Sequence, residues 1–265
     1  MHWSNIFNLF AYLLGAKEII GFDRFGKSMF LTKRIPFSEG ESNRHIIFQY
    51  LSLSNETQPA KLPSIKIYLT ENELKAADSN LRNYGITSSD VLIGIAPGGG
   101  NNPKMSMPIR RWSLIYFSEL INLIISSHDC RIILFGDKKE TDIANNILFK
   151  VSNINIISFV GATTIRETAA ILSKCRLIIT NDSALMHLSS AVGTKTVSIF
   201  GPTSPYDKAP VGEGHVFIYK DLLCSPCYKY GKFPNCKTID CMAQILPVEV
   251  YQEFLKMFEL NRTNN

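Results

Sequence analysis

Asn181, Asp182 and Ser183 stand between an apolar run at 177–180 and a short stretch, 184–192, that ends at Gly193. Asn, Asp and Ser cap helices and glycine ends them, so this spacing predicts a helix that begins at Ala184. A helix start presents backbone N–H groups and the positive end of a dipole, which is anion-binding chemistry, and a nucleotide diphosphate is a natural guest. Gly98, Gly99 and Gly100 follow a second apolar run. Glycines at such a point let the backbone come close to a phosphate or an acceptor, or they form a mobile surface loop. Cys224, Cys227, Cys236 and Cys241 form C-x2-C-x8-C-x4-C. That spacing admits a tetrahedral zinc site stapling a loop, or free and redox-labile thiols.

These residues need a frame, and the pattern of apolar runs supplies one. Residues 91–96, 131–135, 154–159, 177–180 and 197–200 read as buried strands. Helical stretches at 113–127, 138–151, 165–173 and 184–192 alternate with them. Repeated β-α order means a parallel, doubly wound sheet, whose ligands sit in loops at the carboxyl ends of the strands. Residues 247–260 read as a closing amphipathic helix, and Cys130 and Cys175, at strand starts, read as core. The first 84 residues lack a βαβ series. They give a strand at 18–21, a helix at 44–53, a strand at 65–69 and a polar helix at 71–84. The expected organisation is a partial N-terminal α/β domain, 1–84, and a Rossmann-like domain, 85–265.

With 265 residues, 45% hydrophobic and 19% charged, the chain has ample material for a core. Its net charge of +5 comes from scattered Lys and Arg, which suits anionic substrates or an anionic membrane surface and does not single out nucleic acid. Six cysteines without an export signal fit a reducing cytoplasm. Residues 6–14 are apolar but short, and read as the end of a buried helix; no run is long enough to span a bilayer.

Five segments, in this order, carry a resemblance: PGGGNNPKMSMPIRRWS, LFGDKKETDIA, GATTIRETAAIL, NDSALMHLSSAVGTKTVSIFGPTSP and CSPCYKYGKFPNCKTIDCM. They resemble the nucleotide-binding half of glycosyltransferase family 9, the ADP-heptose:lipopolysaccharide heptosyltransferases. The match is good over residues 85–255 and weaker upstream through LLGAKEIIGFDR. The resemblance implies a GT-B fold and an inverting transfer of heptose from ADP-heptose to a lipid-linked inner-core saccharide, in the cytoplasm or at the inner face of the inner membrane. It implies no required cofactor, and the sequence has no Asp-x-Asp pair for a divalent metal.

Residue by residue, the resemblance puts Arg110 at the family's phosphate-binding lysine, with Arg111 beside it and residues 101–109 inserted before them. With Ser183 and Ala184 at the helix start, these would stabilise the departing diphosphate. Ala184 replaces a common glycine. Asp182 would face donor hydroxyls or the surroundings of the leaving group, or act only as a helix cap. His187 would donate to phosphate, or be a satisfied core histidine. Thr163 and Thr164 match positions near the nucleoside or cap a helix. Glu140 would contact the ribose or complement a helix dipole. The family's general base, an Asp near the start of the acceptor domain, has no match between Met1 and Tyr84. The expectation is therefore a chain lacking the start of that domain, with far lower activity than a full-length relative. The alternatives are a non-catalytic nucleotide-sugar-binding protein or partner subunit, or another GT-B enzyme of nucleotide sugars.

Overall fold

The computed structural model describes residues 5–23, 28–37, 45–54, 62, 65–99, 101–102, 105–228 and 232–259. The chain divides into two compact units, 1–62 and 63–265.

In the first unit, helix α1 (Asn5–Leu13) precedes strands β1 (Ile20–Asp23) and β2 (Lys33–Pro36) and helix α2 (Ile46–Leu51). β1 and β2 pair in parallel, Phe22 opposite Ile35. Phe22 packs on Phe37 and Tyr50, with ring centroids 4.9 and 5.9 Å away. The strand expected at 18–21 lies two residues later. Residues 6–14 do form a helix, but the expected burial is wrong: no residue of α1 is buried, and Ile6, Phe10 and Leu13 are mostly exposed.

The second unit begins with α3 (Glu71–Arg82), β3 (Leu92–Ala96), a small antiparallel hairpin of β4 (Asn101–Asn102) and β5 (Met105–Ser106), and a 3-10 turn at Pro108–Arg110. There follow α4 (Leu114–Ser127), β6 (Arg131–Leu134), a 3-10 turn at Lys138–Glu140, α5 (Thr141–Val151), β7 (Ile156–Ser158) and α6 (Ile165–Leu172). The remainder is β8 (Leu177–Asn181), α7 (Ala184–Ala191), β9 (Lys195–Phe200), α8 (Pro205–Lys208), β10 (His215–Tyr219), α9 (Asp240–Ala243) and α10 (Pro247–Glu259). Six strands form one parallel sheet in the order β10-β9-β8-β3-β6-β7. This is the doubly wound order, and the strand sequence reverses between β3 and β8.

The sheet is buried on both faces, which is why its strands are continuous apolar runs in the sequence. Ile93, Ile95 and Ile179 face Phe117, Ile121 and Ile124 of α4 and Phe254 of α10. Leu92, Ile133 and Ile178 face the other way, toward Ala170 and Ile171 of α6 and Ala77 and Leu81 of α3. The last of these contacts explains why α3 belongs to the second unit, and the division falls at 62/63 where the sequence reading put it after 84. Arg166 of α6 also bridges to Glu73 of α3 and donates to the Tyr68 carbonyl. Residues 65–69 form no strand, although the Ile67 N–H donates to the Ala191 carbonyl at 2.7 Å. Unforeseen β10 is an edge strand, paired only with β9 and nowhere fully buried.

Candidate functional site

The carboxyl ends of β3 and β8 flank the point where strand order reverses, and a cleft of about 560 Å³ opens there. Its walls are the Gly98–Gly99 loop after β3, the start of α7 after β8, Arg110, Glu140 and Lys208. Gly100 lies outside the described residues.

Asn181 organises this point. It is the last residue of β8, wholly buried, and not a helix cap. Its side-chain amide donates to the carbonyls of Pro97 (2.9 Å) and Gly98 (2.8 Å), while its Oδ1 accepts from the Trp112 N–H at 3.0 Å. Trp112 is itself buried and donates through Nε1 to the Ile245 carbonyl. One side chain thereby fixes the glycine loop and the Arg110–Arg111 segment to the sheet.

The glycine loop is held from its other side by Glu140, which is buried. Its carboxylate accepts from the Gly99 N–H and from the Asp137 N–H. A Cβ on Gly98 would lie 2.2 Å from the Glu140 carboxyl carbon, so a larger residue must displace that carboxylate or the loop. Gly99 has φ +103°, a backbone conformation that side chains disfavour, and a Cβ there would lie 2.9 Å from Ser183 Cβ. The loop is therefore pressed against the start of α7, not a loose surface excursion. Glu140 lines the cleft, but both its carboxylate oxygens are engaged by backbone.

Asp182, 5% exposed, accepts at Oδ2 from Arg110 Nη1 (2.9 Å) and from Thr203 Oγ1 (2.8 Å). The charge of Asp182 is thereby matched by Arg110. Asp182 is not the helix cap. Ser183 holds that position with extended backbone and makes no side-chain cap bond; its Oγ lies 3.1 Å from Thr180 Oγ1. Arg110 lines the cleft, and its Nε is buried with no hydrogen-bond partner. Arg111 is turned to the loop, donating through Nε to the Gly99 carbonyl at 2.8 Å, and does not line the cleft.

His187 is exposed on the cleft side of α7, which excludes the core-histidine reading. Ala184 lines the cleft at the helix start. Thr163 lines it too, its Oγ1 2.8 Å from Thr168 Oγ1. Thr164 does not line it; it caps α6 in a reciprocal pair with Glu167, whose carboxyl is held below its usual range by the Thr164 backbone and hydroxyl. Lys208, at the end of α8, also lines the cleft and was not singled out on sequence, because a lone lysine carries no periodic signal.

Cys224, Cys227, Cys236 and Cys241 are free thiols that range from exposed (Cys224 and Cys236) to buried (Cys241). Burial pushes the Cys241 thiol up to about 11, with the nearby Cys227, Cys236 and Cys224 adding to the shift. Among the described residues no group of three or more His, Cys, Asp or Glu is placed to hold a metal ion, so the zinc reading of this spacing finds no support. The segment is tied instead to the turn after β9: Ser225 Oγ donates to the Gly201 carbonyl, and the Cys227 and Tyr228 N–H groups donate to the Pro202 carbonyl. Cys130 and Cys175 are buried in the core, as expected.

A doubly wound sheet with a glycine loop and a helix start meeting at its switch point defines an α/β protein with a cleft where open α/β sheets hold ligands. The model of glycosyltransferase family 9 (heptosyltransferase) matches residues 8–237, and the chain belongs to this family. Lipooligosaccharide heptosyltransferase 2 of Campylobacter jejuni is 35% identical over 166 residues, 61% of this chain and 49% of that one. Lipooligosaccharide heptosyltransferase 2 of Haemophilus ducreyi is 29% identical over 65% of this chain and 51% of its own length. The chain thus spans about half the length of the curated relatives it matches. Among solved structures, ADP-heptose lps heptosyltransferase II of E. coli superposes with a TM-score of 0.75 at 19% identity, over 98% of this chain and 76% of that one. The likeness fixes the fold as α/β of the GT-B type.

Proposed function

We propose that this protein is a heptosyltransferase of lipopolysaccharide core assembly, and that the switch-point cleft holds the diphosphate of an ADP-heptose donor. The observation that carries this reading is the convergence of the Gly98–Gly99 backbone, the uncapped Ser183–Ala184 helix start and Arg110 on one cleft at the strand ends. Membership of the family and its heptosyltransferase relatives support the activity.

In this reading the leaving diphosphate gains negative charge as the glycosidic bond breaks. The α7 N–H groups and the Arg110 guanidinium, fixed beforehand by Asp182, stabilise it without a divalent ion. Asp182 is a positioning residue for Arg110, and Glu140 and Asn181 are positioning residues for the glycine loop. Thr163 and His187 line the cleft where the nucleoside and phosphates would be recognised. The acceptor is a lipid-linked core saccharide. Access to that acceptor is proposed to be by peripheral contact at the cytoplasmic face. Among the described residues no helix is long and apolar enough to cross a membrane.

Calorimetry with ADP, UDP and GDP, followed by a transfer assay from ADP-heptose to an inner-core acceptor with and without a chelator, tests the reading. Selective ADP binding and chelator-resistant transfer are expected. Equal affinity for all three nucleotides contradicts the adenine assignment, and loss of transfer on chelation contradicts metal independence.

A further inference from the structure

Arg110 and Asp182 are joined by a single bond, and another ion pair of the same unit shows the alternative. Arg166 grips Glu73 with a fork, Nε to Oε1 at 2.5 Å and Nη2 to Oε2 at 2.7 Å, the arrangement in which a guanidinium matches a carboxylate. Arg110 gives Asp182 only Nη1, at 2.9 Å from Oδ2. Of its other nitrogens Nε is sealed and without a partner, whereas Nη2 makes no hydrogen bond among the described residues and is not sealed. Arg110 lines the cleft, so Nη2 is the nitrogen left for a ligand oxygen.

Thr203 accounts for the missing half of the fork. Its hydroxyl donates at 2.8 Å to the same Oδ2 that receives Arg110, while Oδ1 makes no hydrogen bond among the described residues. With two donors converging on one oxygen, the carboxylate is turned so that a single oxygen serves the guanidinium. Thr203 is 1% exposed and lies in the turn that follows β9. Just before it, the Pro202 carbonyl accepts from the Cys227 and Tyr228 N–H groups and the Gly201 carbonyl from Ser225 Oγ. Just after it, Ser204 caps α8. A turn anchored on both sides thus presents the hydroxyl to Asp182.

Resting on the reading of the cleft as a diphosphate site, we infer that Thr203 is a positioning residue for phosphate binding: it keeps the Arg110–Asp182 pair single-bonded and so holds Arg110 Nη2 open to a phosphate oxygen. Without the hydroxyl the carboxylate turns, the fork closes and Nη2 is taken. The test is calorimetric titration with ADP of the wild type, T203V, T203A, T203S, R110K and R110K/T203V, with melting curves to show that each is folded. T203V and T203A are expected to bind ADP about tenfold more weakly, and T203S, which keeps the hydroxyl, to stay within about threefold of the wild type. A lysine cannot fork, so adding T203V to R110K is expected to change ADP affinity by less than about twofold. Three results overturn the inference and leave the cleft reading standing: T203V and T203A binding ADP as the wild type does, T203S losing as much as T203V, or T203V costing as much beside Lys as beside Arg. A wild type that binds no ADP overturns both.

Discussion

Arg110 Nη1 lies 2.9 Å from Asp182 Oδ2, with the two side chains only 13% and 6% exposed. The pair joins the segment before α4 to the end of β8 across 72 residues of sequence, and it sets a guanidinium in the wall of the cleft. Removing one member leaves a largely buried charge unmatched. D182A is expected to lose about 3 kcal/mol of stability in urea unfolding, while the apolar double variant R110M/D182L recovers much of it. Nucleotide binding stays lost in the double variant, because the charge that served the ligand is gone. Equal stability of D182A and wild type would show that the pair is not coupled.

Asn181 gives a sharper test, because Asp has the same shape and cannot donate. In N181D a carboxylate would face the Pro97 and Gly98 carbonyls that now receive two N–H bonds. Two buried acceptors lose their partners and a charge is added, so a loss of at least about 3 kcal/mol is expected, together with loss of ADP binding. An N181D protein with wild-type melting and binding contradicts the role given to Asn181.

At Gly98 the question is space. A methyl group there meets Glu140 at 2.2 Å, so G98A must displace either the loop or the carboxylate. A cost of about 1–3 kcal/mol and a clear weakening of ADP binding are expected from such overpacking. A crystal structure of G98A with both elements unmoved would remove the basis for this expectation.

The thiols differ in reactivity for physical reasons. Only a thiolate is nucleophilic, and burial raises Cys241 to about 11 and Cys130 to about 11. Iodoacetamide at pH 7.5, followed by peptide mass spectrometry, is expected to label exposed Cys224 and Cys236 first and to spare Cys241, Cys130 and Cys175. Cys241 labelled as fast as Cys224 contradicts this order.

His215 carries a pH dependence. Burial holds its imidazole below the ordinary histidine value, between Ser190 Oγ at 3.0 Å and Thr196 Oγ1 at 3.2 Å. The unfolded chain therefore takes up a proton at higher pH than the folded one. Its contribution to stability is complete above the unfolded value of about 6.5 and falls as pH drops below it. Denaturation midpoints between pH 8 and 5.5 are expected to fall less steeply in H215Q than in the wild type; parallel slopes would assign the loss to other groups.

What the sequence revealed followed from burial. β3, β6, β8 and β9 are covered on both faces, so their apolar runs are unbroken and their parallel pairing could be inferred. α1 shows the limit of that reasoning: its apolar composition suggested a buried helix, yet none of its residues is buried. At the site, residue types located the cleft, because glycines and a helix start are local signals. The partners were not legible. Asn181 reaches back to Pro97, Arg110 to Asp182 and Glu140 to Gly99, and each of these bonds depends on strand order and not on local spacing. Lys208 was not legible either, because only the turn after β9 and the short α8 carry it to the cleft.

The central claim is tested most directly by a crystal structure of the protein grown with ADP. Both phosphates are expected in the cleft between Gly99 and the Ser183–Ala184 helix start, with the Arg110 guanidinium within hydrogen-bonding reach of a phosphate oxygen. Clear density for ADP elsewhere on the molecule, with this cleft empty, contradicts the account.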